Sequence, residues 1–534
     1  MGTYLNPDNQ NFLEMVNTGR YVDKTMLISQ ANKQLGDPTF KFICVSRPRR
    51  FGKTIAGNML SAYYSKGADS RKLFEPFKIS QDPSFETHLN KYNVLKLDIN
   101  AMYSEWLCFE PKEKRPDTVI AYFTRLVCEE FKKEFSDVDF GDDGTISGFI
   151  QKVYMQKKQT FIIILDEYDV FIREKDLESQ LPVYLGFLNS LFKNTELVPA
   201  ISLAYITGIL PIMKDKIQSK LNTFRQYTML EPSSFSEYVG FLPEEVAAIC
   251  KKYGCSFEDC KNWYDGYRLE GFEVYNPESV MIAAITGKFK SYWSGTSTYN
   301  VIKEKIQMNF AGTKEAVIAM IGGETIDVSV GKYDNTMTGL KSKDDIFTFL
   351  IHLGYLAYDE EERVCYIPNR EIHDEWIKAI SDDSNYEQTN KIIEDSKNLL
   401  AQTLAGNEEL VAQALDRSHD HVSSNRSYNN EYSLQSAIYL AYIYALNGYT
   451  IVKEMPAGKG IADIVYIPLS SNKNQTAIIV ELKHNQSAES ALTQIKQKRY
   501  FDCLSAWHGE LLFVGANYNE KTKKHECKIE RFVK

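Results

Sequence analysis

The feature that most constrains the fold is a nine-residue loop between an apolar run and an amphipathic segment. The run Phe40–Val45 is predicted to be a strand, and Ile55–Tyr64 is predicted to be a helix. The loop reads Ser46-Arg47-Pro48-Arg49-Arg50-Phe51-Gly52-Lys53-Thr54. Main-chain N–H groups and the dipole of a helix start favour an anion, a lysine here can reach the β and γ phosphates of a nucleotide, and the threonine hydroxyl can ligate Mg²⁺. The loop therefore predicts a phosphate site, although arginine stands where such loops usually begin with glycine.

Acidic and polar residues follow two further predicted strands. Phe161–Leu165 ends in Asp166-Glu167, where Asp166 is expected to ligate Mg²⁺ and Glu167 to orient or deprotonate the attacking water. A solvated strand end is the alternative for this acidic pair. Ile201–Tyr205 leads to Thr207, which is predicted to sense the γ phosphate unless it only forms a turn.

The order of patterns along the chain predicts three domains. Residues 1–230 alternate strands with amphipathic segments, which predicts an α/β P-loop domain with a parallel sheet and helices on both faces. Residues 231–424 are mainly helical and are predicted to be a lid or connecting region, and the polar stretch Asp416–Asn430 is predicted to be a linker. Residues 425–534 are predicted to form a separate α-β-β-β-α-β domain. Its elements are Glu431–Leu446, Tyr449–Glu454, Ile461–Ile467, Ala477–Leu482, Ala488–Cys503 and Leu511–Val514.

Two acids and a lysine lie on the second and third strands of that last domain. Asp463 is followed 18 residues later by Glu481-Leu482-Lys483. Because side chains alternate along a strand, Glu481 and Lys483 share one face, whereas Leu482 enters the opposite packing layer. Two carboxylates that hold Mg²⁺ or Mn²⁺, with a lysine that positions water or stabilises charge on phosphorus, suit a metal-dependent phosphodiesterase.

Composition and charge narrow the classes of protein. The chain has 534 residues and a net charge of −9, which argues against an indiscriminate polyanion binder. Residues 425–534 hold 14 Lys or Arg and 10 Asp or Glu, a net +4, so nucleic acid is expected to bind there, unless Lys521, Lys523, Lys524 and Lys528 form only a solvated hairpin. Nine cysteines predict reduced thiols, and no export signal or membrane span is evident, so a cytoplasmic protein without a membrane partner is expected.

Several motifs together resemble the AAA-ATPase-like family that is commonly fused to a PD-(D/E)XK nuclease-superfamily domain. They are Tyr21-Val22-Asp23-Lys24-Thr25, Arg47-Pro48-Arg49-Arg50-Phe51-Gly52-Lys53-Thr54, Asp166-Glu167-Tyr168-Asp169, Trp263-Tyr264-Asp265-Gly266-Tyr267, Tyr275-Asn276-Pro277 and the Asp463/Glu481/Lys483 set. The arginine-rich loop is the family's normal form, so the resemblance implies that Arg47, Arg49, Arg50, Phe51, Gly52, Lys53 and Thr54 bind ATP with Mg²⁺. Phe171 departs from the pattern, which has proline there.

The nuclease superfamily implies further site residues. Glu431 matches its accessory acid, and Gln494 and Tyr500 resemble its Gln-to-Tyr element, which contacts substrate phosphate. A helix-start acid and a solvent-facing glutamine are the ordinary alternatives. Asp23 and Lys24 match a family motif. They either contact the nucleotide or are simply a capping aspartate and a surface lysine.

Two functions of different classes fit these observations. The leading hypothesis is an ATP-binding, ATP-hydrolysing protein with a metal-dependent nuclease domain that acts on DNA or RNA. The alternative is a nucleotide-dependent switch or scaffold whose nuclease-like domain binds a partner or nucleic acid without cleavage. The sequence leaves a homo-oligomer open, in which a partner subunit donates an arginine to the ATP site.

Overall fold

The computed structural model describes residues 2–109, 116–142, 144–212, 222–293, 298–330, 340–381, 383–423, 431–469, 476–504, 507 and 509–532. The chain divides into two compact units. The first unit comprises Met1–Tyr253, Gly266–Thr286 and Val328–Arg363. The second unit comprises Gly254–Asp265, Gly287–Asp327 and Val364–Lys534. Each unit is therefore built from three stretches that are separate in sequence.

A five-stranded parallel sheet organises the first unit, with the strand order β2-β3-β4-β1-β5. The strands are β1 (Phe42–Ser46), β2 (Asn93–Asp98), β3 (Phe161–Asp166), β4 (Ile201–Gly208) and β5 (Arg225–Tyr227). The predicted parallel α/β architecture is confirmed. Because β1, β3 and β4 run in the same direction, the phosphate loop, the Asp166-Glu167 pair and Thr207 all lie at the carboxyl ends of these strands, at one edge of the sheet.

Helices cover both faces of this sheet. The residues Ile163 and Leu165 of β3 pack in a core with helices α7, α8 and α10, whereas the intervening Ile164 faces α3, where a Cβ added at Gly57 would lie 3.6 Å from its Cγ2. The alternation along the strand therefore separates two packing layers. The helices up to the end of β4 are α1 (Gln10–Asn17), α2 (Met26–Gln34), α3 (Lys53–Tyr64), α4 (Arg71–Phe74), α5 (Phe85–His88), α6 (Ile99–Leu107), α7 (Val119–Glu134), α8 (Ile146–Lys157), α9 (Val170–Arg173) and α10 (Leu181–Phe192).

The rest of the first unit is mainly helical. It contains α11 (Pro243–Tyr253), α13 (Pro277–Thr286) and α16 (Lys343–Leu353), the antiparallel hairpin of β6 (Tyr267–Leu269) and β7 (Phe272–Val274), and the short strand β9 (Ala357–Asp359). The second unit begins with α12 (Phe257–Tyr264), α14 (Thr298–Ile306), α15 (Thr313–Ile321), α17 (Arg370–Ser381) and the antiparallel pair β8 (Ile326–Asp327) and β10 (Val364–Tyr366).

A mixed five-stranded sheet forms the C-terminal part of the second unit, in the order β11-β12-β13-β14-β15. Its elements are β11 (Tyr449–Ala457), β12 (Gly460–Pro468), β13 (Ala477–His484), β14 (Leu511–Asn519) and β15 (Lys524–Phe532), with α20 (Glu431–Ala441) before the first strand and α21 (Ala488–Gln497) between β13 and β14. Only β13 and β14 are parallel, and α21 makes the crossover between them. The predicted α-β-β-β-α-β order is confirmed, and β15 is added to it.

Three helices cover one face of the C-terminal sheet, and α21 covers the other. The helices α18 (Glu387–Ala405) and α19 (Glu408–Ser423) pack with α20 against one side of β12, β13 and β14. Asp416 therefore lies on a helix, and the predicted linker is wrong for residues 416–423, because these residues continue α19, which is anchored in the core by buried Val411, Ala414 and Leu415. Residues 424–430 lie outside the described residues.

The basic tail is a paired strand. Lys528 Nζ lies 2.9 Å from Glu408 Oε2, and Lys524 Nζ lies 3.2 Å from Asp416 Oδ2, so both lysines are paired with acids of α19. Part of the positive charge that the sequence assigned to nucleic acid is therefore compensated within the fold. The nine cysteines are free thiols, and in the described part of the chain no helix has the length and apolar character needed to cross a bilayer.

Candidate functional site

The loop after β1 adopts a left-handed turn and leads directly into α3. Gly52 has φ +90° and Arg50 has φ +71°, and α3 begins at Lys53. Glycine tolerates this region because it has no Cβ. The Lys53 Nζ donates hydrogen bonds to the carbonyls of Arg47 and Pro48 at 2.9 and 2.8 Å, so the ammonium closes the loop on itself. Burial lowers the pKa of Lys53 to about 8, and the charges of Asp166 and Asp169 oppose that shift.

Arg47, near the start of the loop, points into the protein. Its side chain is fully buried, and Nη1 donates to the carbonyls of Ser46, Tyr227 and Thr228 at 3.0, 3.0 and 2.9 Å. Burial lowers its pKa to about 10. The arginine thus ties the loop to the end of β5. The sequence assigned Arg47 to the nucleotide, but the structure places its guanidinium among main-chain carbonyls instead.

A cavity of about 720 Å³ opens beside the loop, within the first unit. The predicted site residues that line it are Arg49, Arg50, Phe51, Gly52, Lys53, Thr54 and Glu167. Its wall also carries apolar side chains on α13 and on the segment before α11, among them Met281, Ile282, Tyr238 and Phe241. The lining therefore combines cationic side chains and the start of α3 with apolar side chains, a combination that suits a phosphorylated ligand with a flat, hydrophobic group.

The acids at the end of β3 lie close enough to Lys53 for their charges to act on its ammonium group. Asp166 is buried, and its Oδ1 accepts hydrogen bonds from the Thr207 hydroxyl and, at 3.1 Å, from the Glu167 N–H. Thr207 is itself buried and orients Asp166; it does not line the cavity. In register with Asp166 stands Asp98 of β2, whose pKa is raised by burial and by the neighbouring charges of Asp166 and Glu167. The sheet edge therefore concentrates negative charge.

Two residues of this site received no role from the sequence: Asp169, which was noted only as part of a family motif, and Arg173. Asp169 is fully buried, and its Oδ2 accepts the N–H groups of Ile209 and Leu210 at 3.0 and 2.9 Å. Arg173, on α9, lies 2.9 Å from Glu167 Oε2 and 3.1 Å from Asp169 Oδ2, and it lines the cavity. The four-residue spacing of Asp169 and Arg173 on one helical face was the available signal. Phe171, where the resemblance expects proline, is buried and stacks on Tyr184 with ring centres 4.2 Å apart.

Asp23 and Lys24 have separate structural partners. Asp23 Oδ1 accepts the N–H and hydroxyl of Thr25 at 3.0 and 2.6 Å, and Oδ2 accepts the N–H of Lys78 at 2.9 Å. Lys24 lines the cavity, and its Nζ lies 2.7 Å from Glu245 Oε2. Asp23 therefore caps the neighbouring main chain, which is the second of the two alternatives. Lys24 lines the cavity and is paired with Glu245, so it is not a free surface lysine.

The second candidate site lies on β12 and β13. Lys483 Nζ lies 2.8 Å from Glu481 Oε1, and both side chains are buried. Asp463 Oδ2 accepts the main-chain N–H of Leu482 at 2.6 Å, which holds the aspartate against the middle of the Glu481-Leu482-Lys483 segment. Leu482 packs in the opposite core, as the alternation predicts. The three side chains that the sequence singled out are thus brought together on adjacent strands.

Gln494 and Tyr500 complete this cluster. Gln494 Nε2 donates to Glu481 Oε1 and, at 2.9 Å, to the Tyr500 hydroxyl. Burial raises the pKa of Tyr500, and the charges of Glu481 and Asp463 add to that shift. Gln494 is therefore directed at the carboxylate and is no solvent-facing residue. Glu431 begins α20, but its side chain lies outside the described residues; Gln435, one turn later, donates to the Asp463 carbonyl at 2.9 Å.

The donor set of this cluster fits a hard divalent cation. Asp463 and Glu481 offer carboxylate oxygens, the ligands that Mg²⁺ and Mn²⁺ prefer, and Lys483 supplies a positive charge beside them. Gln494 and Lys483 hold Glu481 from one side, which fixes the direction of the carboxylate. The arrangement suits the binding of a metal and a phosphodiester.

Two family models match the chain. Residues 9–218 match the family described as "Predicted AAA-ATPase", and residues 429–527 match the PD-(D/E)XK nuclease superfamily. These matches confirm the resemblance proposed from the motifs. The two matched stretches contain, respectively, the phosphate loop with its acids and the Asp463/Glu481/Lys483 cluster.

Individual relatives are distant. An uncharacterized protein encoded in the vnfD 5′ region of Azotobacter chroococcum mcd 1 is 23% identical over 308 residues, which are 56% of this chain and 55% of that protein. The chain thus spans about half the length of this curated relative. The Aeropyrum pernix ORC1 protein in complex with DNA is 10% identical, with 72% of this chain and 98% of that chain covered and a TM-score of 0.27. For Drosophila ORC bound to DNA the identity is 9%, the coverage 67% and 85%, and the TM-score 0.23.

Proposed function

Because the chain joins a predicted AAA-ATPase domain at residues 9–218 to a PD-(D/E)XK nuclease-superfamily domain at residues 429–527, we propose that it hydrolyses ATP and cleaves phosphodiester bonds of DNA or RNA with Mg²⁺ or Mn²⁺. The observation that carries the nuclease assignment is the cluster of Asp463, Glu481 and Lys483 on adjacent strands. The ATPase assignment rests on the phosphate loop, which faces Glu167 across one cavity.

In the first site, the chain's own groups account for binding and water activation. Main-chain N–H groups at the start of α3 and the Lys53 ammonium bind the phosphates, and Lys53 exchanges its two carbonyl partners for phosphate oxygens. Thr54 and Asp166 would hold Mg²⁺, which offsets charge on the triphosphate. Glu167 accepts a proton from water as the water oxygen bonds to the γ phosphorus and the bond to the bridging oxygen breaks, so ADP and phosphate leave.

In the second site, Asp463 and Glu481 would hold the divalent ion, which lowers the charge on the scissile phosphate. Lys483 stands beside Glu481 and is placed to position the attacking water or to stabilise the charge that builds on phosphorus. Gln494 orients Glu481, and Tyr500 is placed to contact substrate phosphate. We place the nucleic-acid contact within residues 425–534, at this cluster rather than at the lysines paired with α19.

A cleavage assay tests both halves of the proposal. End-labelled single- and double-stranded DNA and RNA are incubated with the full chain in Mg²⁺, Mn²⁺ or EDTA, with and without ATP. Wild type is compared with Asp463→Asn, Lys483→Met and Lys53→Met. The matched control is Asp502→Asn, a half-exposed aspartate of the same domain that pairs with Arg499. Phosphate release from ATP is measured in parallel.

We expect metal-dependent cleavage that falls by a factor on the order of 10² or more in Asp463→Asn and Lys483→Met, with Asp502→Asn unchanged. Lys53→Met should lose ATP hydrolysis and any effect of ATP on cleavage. Retained nucleic-acid binding without cleavage of any substrate would reject the nuclease and select the nucleotide-dependent switch or scaffold. Cleavage that survives Asp463→Asn would remove this cluster from the reaction.

A further inference from the structure

Arg173 is the cationic residue that the cavity presents beside the acids. Its guanidinium forms ion pairs of 2.9 Å with Glu167 and 3.1 Å with Asp169. Its side chain is 11% exposed, and it lines the cavity together with Glu167 and the loop residues Lys53 and Thr54. The positive charge of Arg173 therefore borders the space that a triphosphate would fill.

The two ion pairs of Arg173 differ in how firmly they are held. Asp169 is 0% exposed and already accepts two main-chain N–H groups, so its position does not depend on the arginine alone. Glu167 is 33% exposed, and its backbone is held at φ +52°, a conformation that side chains other than glycine rarely adopt. The pair with Glu167 is therefore the one that can exchange when an anion enters the cavity.

That pair also affects chemistry at Glu167. A carboxylate oxygen that accepts hydrogen bonds from a guanidinium is less available to take a proton from water. A terminal phosphate competes for the same donor, because the N–H groups of a guanidinium bind phosphate oxygens as well as carboxylate oxygens. An ADP molecule, which lacks that phosphate, cannot compete in this way.

We propose that Arg173 detects the terminal phosphate of ATP. Its guanidinium pairs with Glu167 when that phosphate is absent and binds the phosphate when ATP is present. Glu167 is then released as the base. This inference rests on the proposed ATPase function. It assigns the discrimination between ATP and ADP to a side chain outside the phosphate loop.

The test compares nucleotide affinities and turnover in the full chain. Arg173→Gln removes the charge. Arg173→Lys keeps a positive charge opposite buried Asp169, so the folded core is retained, but it lacks the second nitrogen that reaches Glu167 while the first pairs with Asp169. Arg125→Gln, on the exposed side of α7, is the matched control. Dissociation constants for Mg·ATP and Mg·ADP are measured by calorimetry, and kcat and KM by phosphate release.

We expect both Arg173 variants to lose about tenfold or more in ATP affinity while ADP affinity stays within about twofold, and kcat to fall by roughly 10²-fold. Equal losses for ATP and ADP, or an Arg173→Lys protein that matches wild type, would assign Arg173 to structure alone and overturn the inference. Wild type that binds ATP without hydrolysing it would refute the proposed ATPase, and the ratio of ATP to ADP affinity would still decide the role of Arg173.

Discussion

Replacing Arg47 by methionine is expected to destabilise the first unit without removing a phosphate contact. Methionine keeps much of the side-chain length but has no donors, so the carbonyls of Ser46, Tyr227 and Thr228 lose a buried partner. An unsatisfied buried carbonyl costs about 1–3 kcal/mol. Two effects offset part of the cost of the three carbonyls. The surrounding structure relaxes, and the variant no longer buries a charge, a burial that lowers the pKa of Arg47 to about 10. We therefore expect a loss of about 3–5 kcal/mol in the free energy of unfolding.

Urea unfolding, followed by circular dichroism, measures this loss. The midpoint should fall by about 1–2 M for a urea m-value of roughly 3 kcal/mol per molar. Because the proposed ATP site lies in the first unit, ATP should shift the transition of that unit upward and so identify it in a chain with more than one transition.

The control is Arg49→Met, two residues along the same loop. Arg49 is exposed and lines the cavity. The Arg49→Met variant should keep a free energy of unfolding within about 0.5 kcal/mol of wild type and should weaken ATP binding. If Arg47→Met instead unfolds like wild type while ATP affinity drops, then Arg47 is a phosphate ligand and the reasoning from its carbonyl partners is refuted.

Three further outcomes are expected. Burial lowers the pKa of Lys53 to about 8, and a bound anion favours its charged form, so ATP binding near that pH should take up a proton. The affinity for ATP, measured by calorimetry, should be constant below pH 8 and weaken above it. The Lys53→Met variant should show no such pH dependence. Gln494→Ala frees Glu481 to move and should slow cleavage about 10- to 100-fold with unchanged oligonucleotide affinity; an equal loss of binding would contradict this. Gly208→Ala places a Cβ 2.8 Å from Asp169 Oδ1 and should cost about 1–3 kcal/mol, seen as a lower thermal midpoint; an unchanged midpoint would disprove the close packing.

Local pattern was enough for the parts of the fold that depend on neighbours in sequence. The strand, loop and helix around Lys53 follow from an apolar run, a glycine and a helix-forming segment, and the structure has the helix from Lys53 to Tyr64. The opposite directions of Glu481 and Leu482 follow from the two-residue period of a strand. The C-terminal element order was likewise readable, because each strand there is a short apolar run bounded by turn residues.

Other features depend on chain segments that lie far apart in sequence. Residues 408–423 are polar enough to resemble a linker at their end, and they become a helix because β12, β13 and β14 offer an apolar face to cover. Lys524 and Lys528 of the tail appeared to be free charge, but β15 places them beside acids of α19 more than a hundred residues away.

The sequence by itself determined that a phosphate loop and two acidic groups exist on this chain and which strands carry them, because hydrophobic period and turn chemistry are local. Only the tertiary structure decided where the charged side chains point. Arg47 turns inward because the end of β5 supplies buried carbonyls that need a donor, and Arg173 reaches Glu167 because α9 begins a few residues after β3 ends. A buried arginine pairs with the buried carbonyls or carboxylates that still need a donor, and these are known only when distant segments have been brought together.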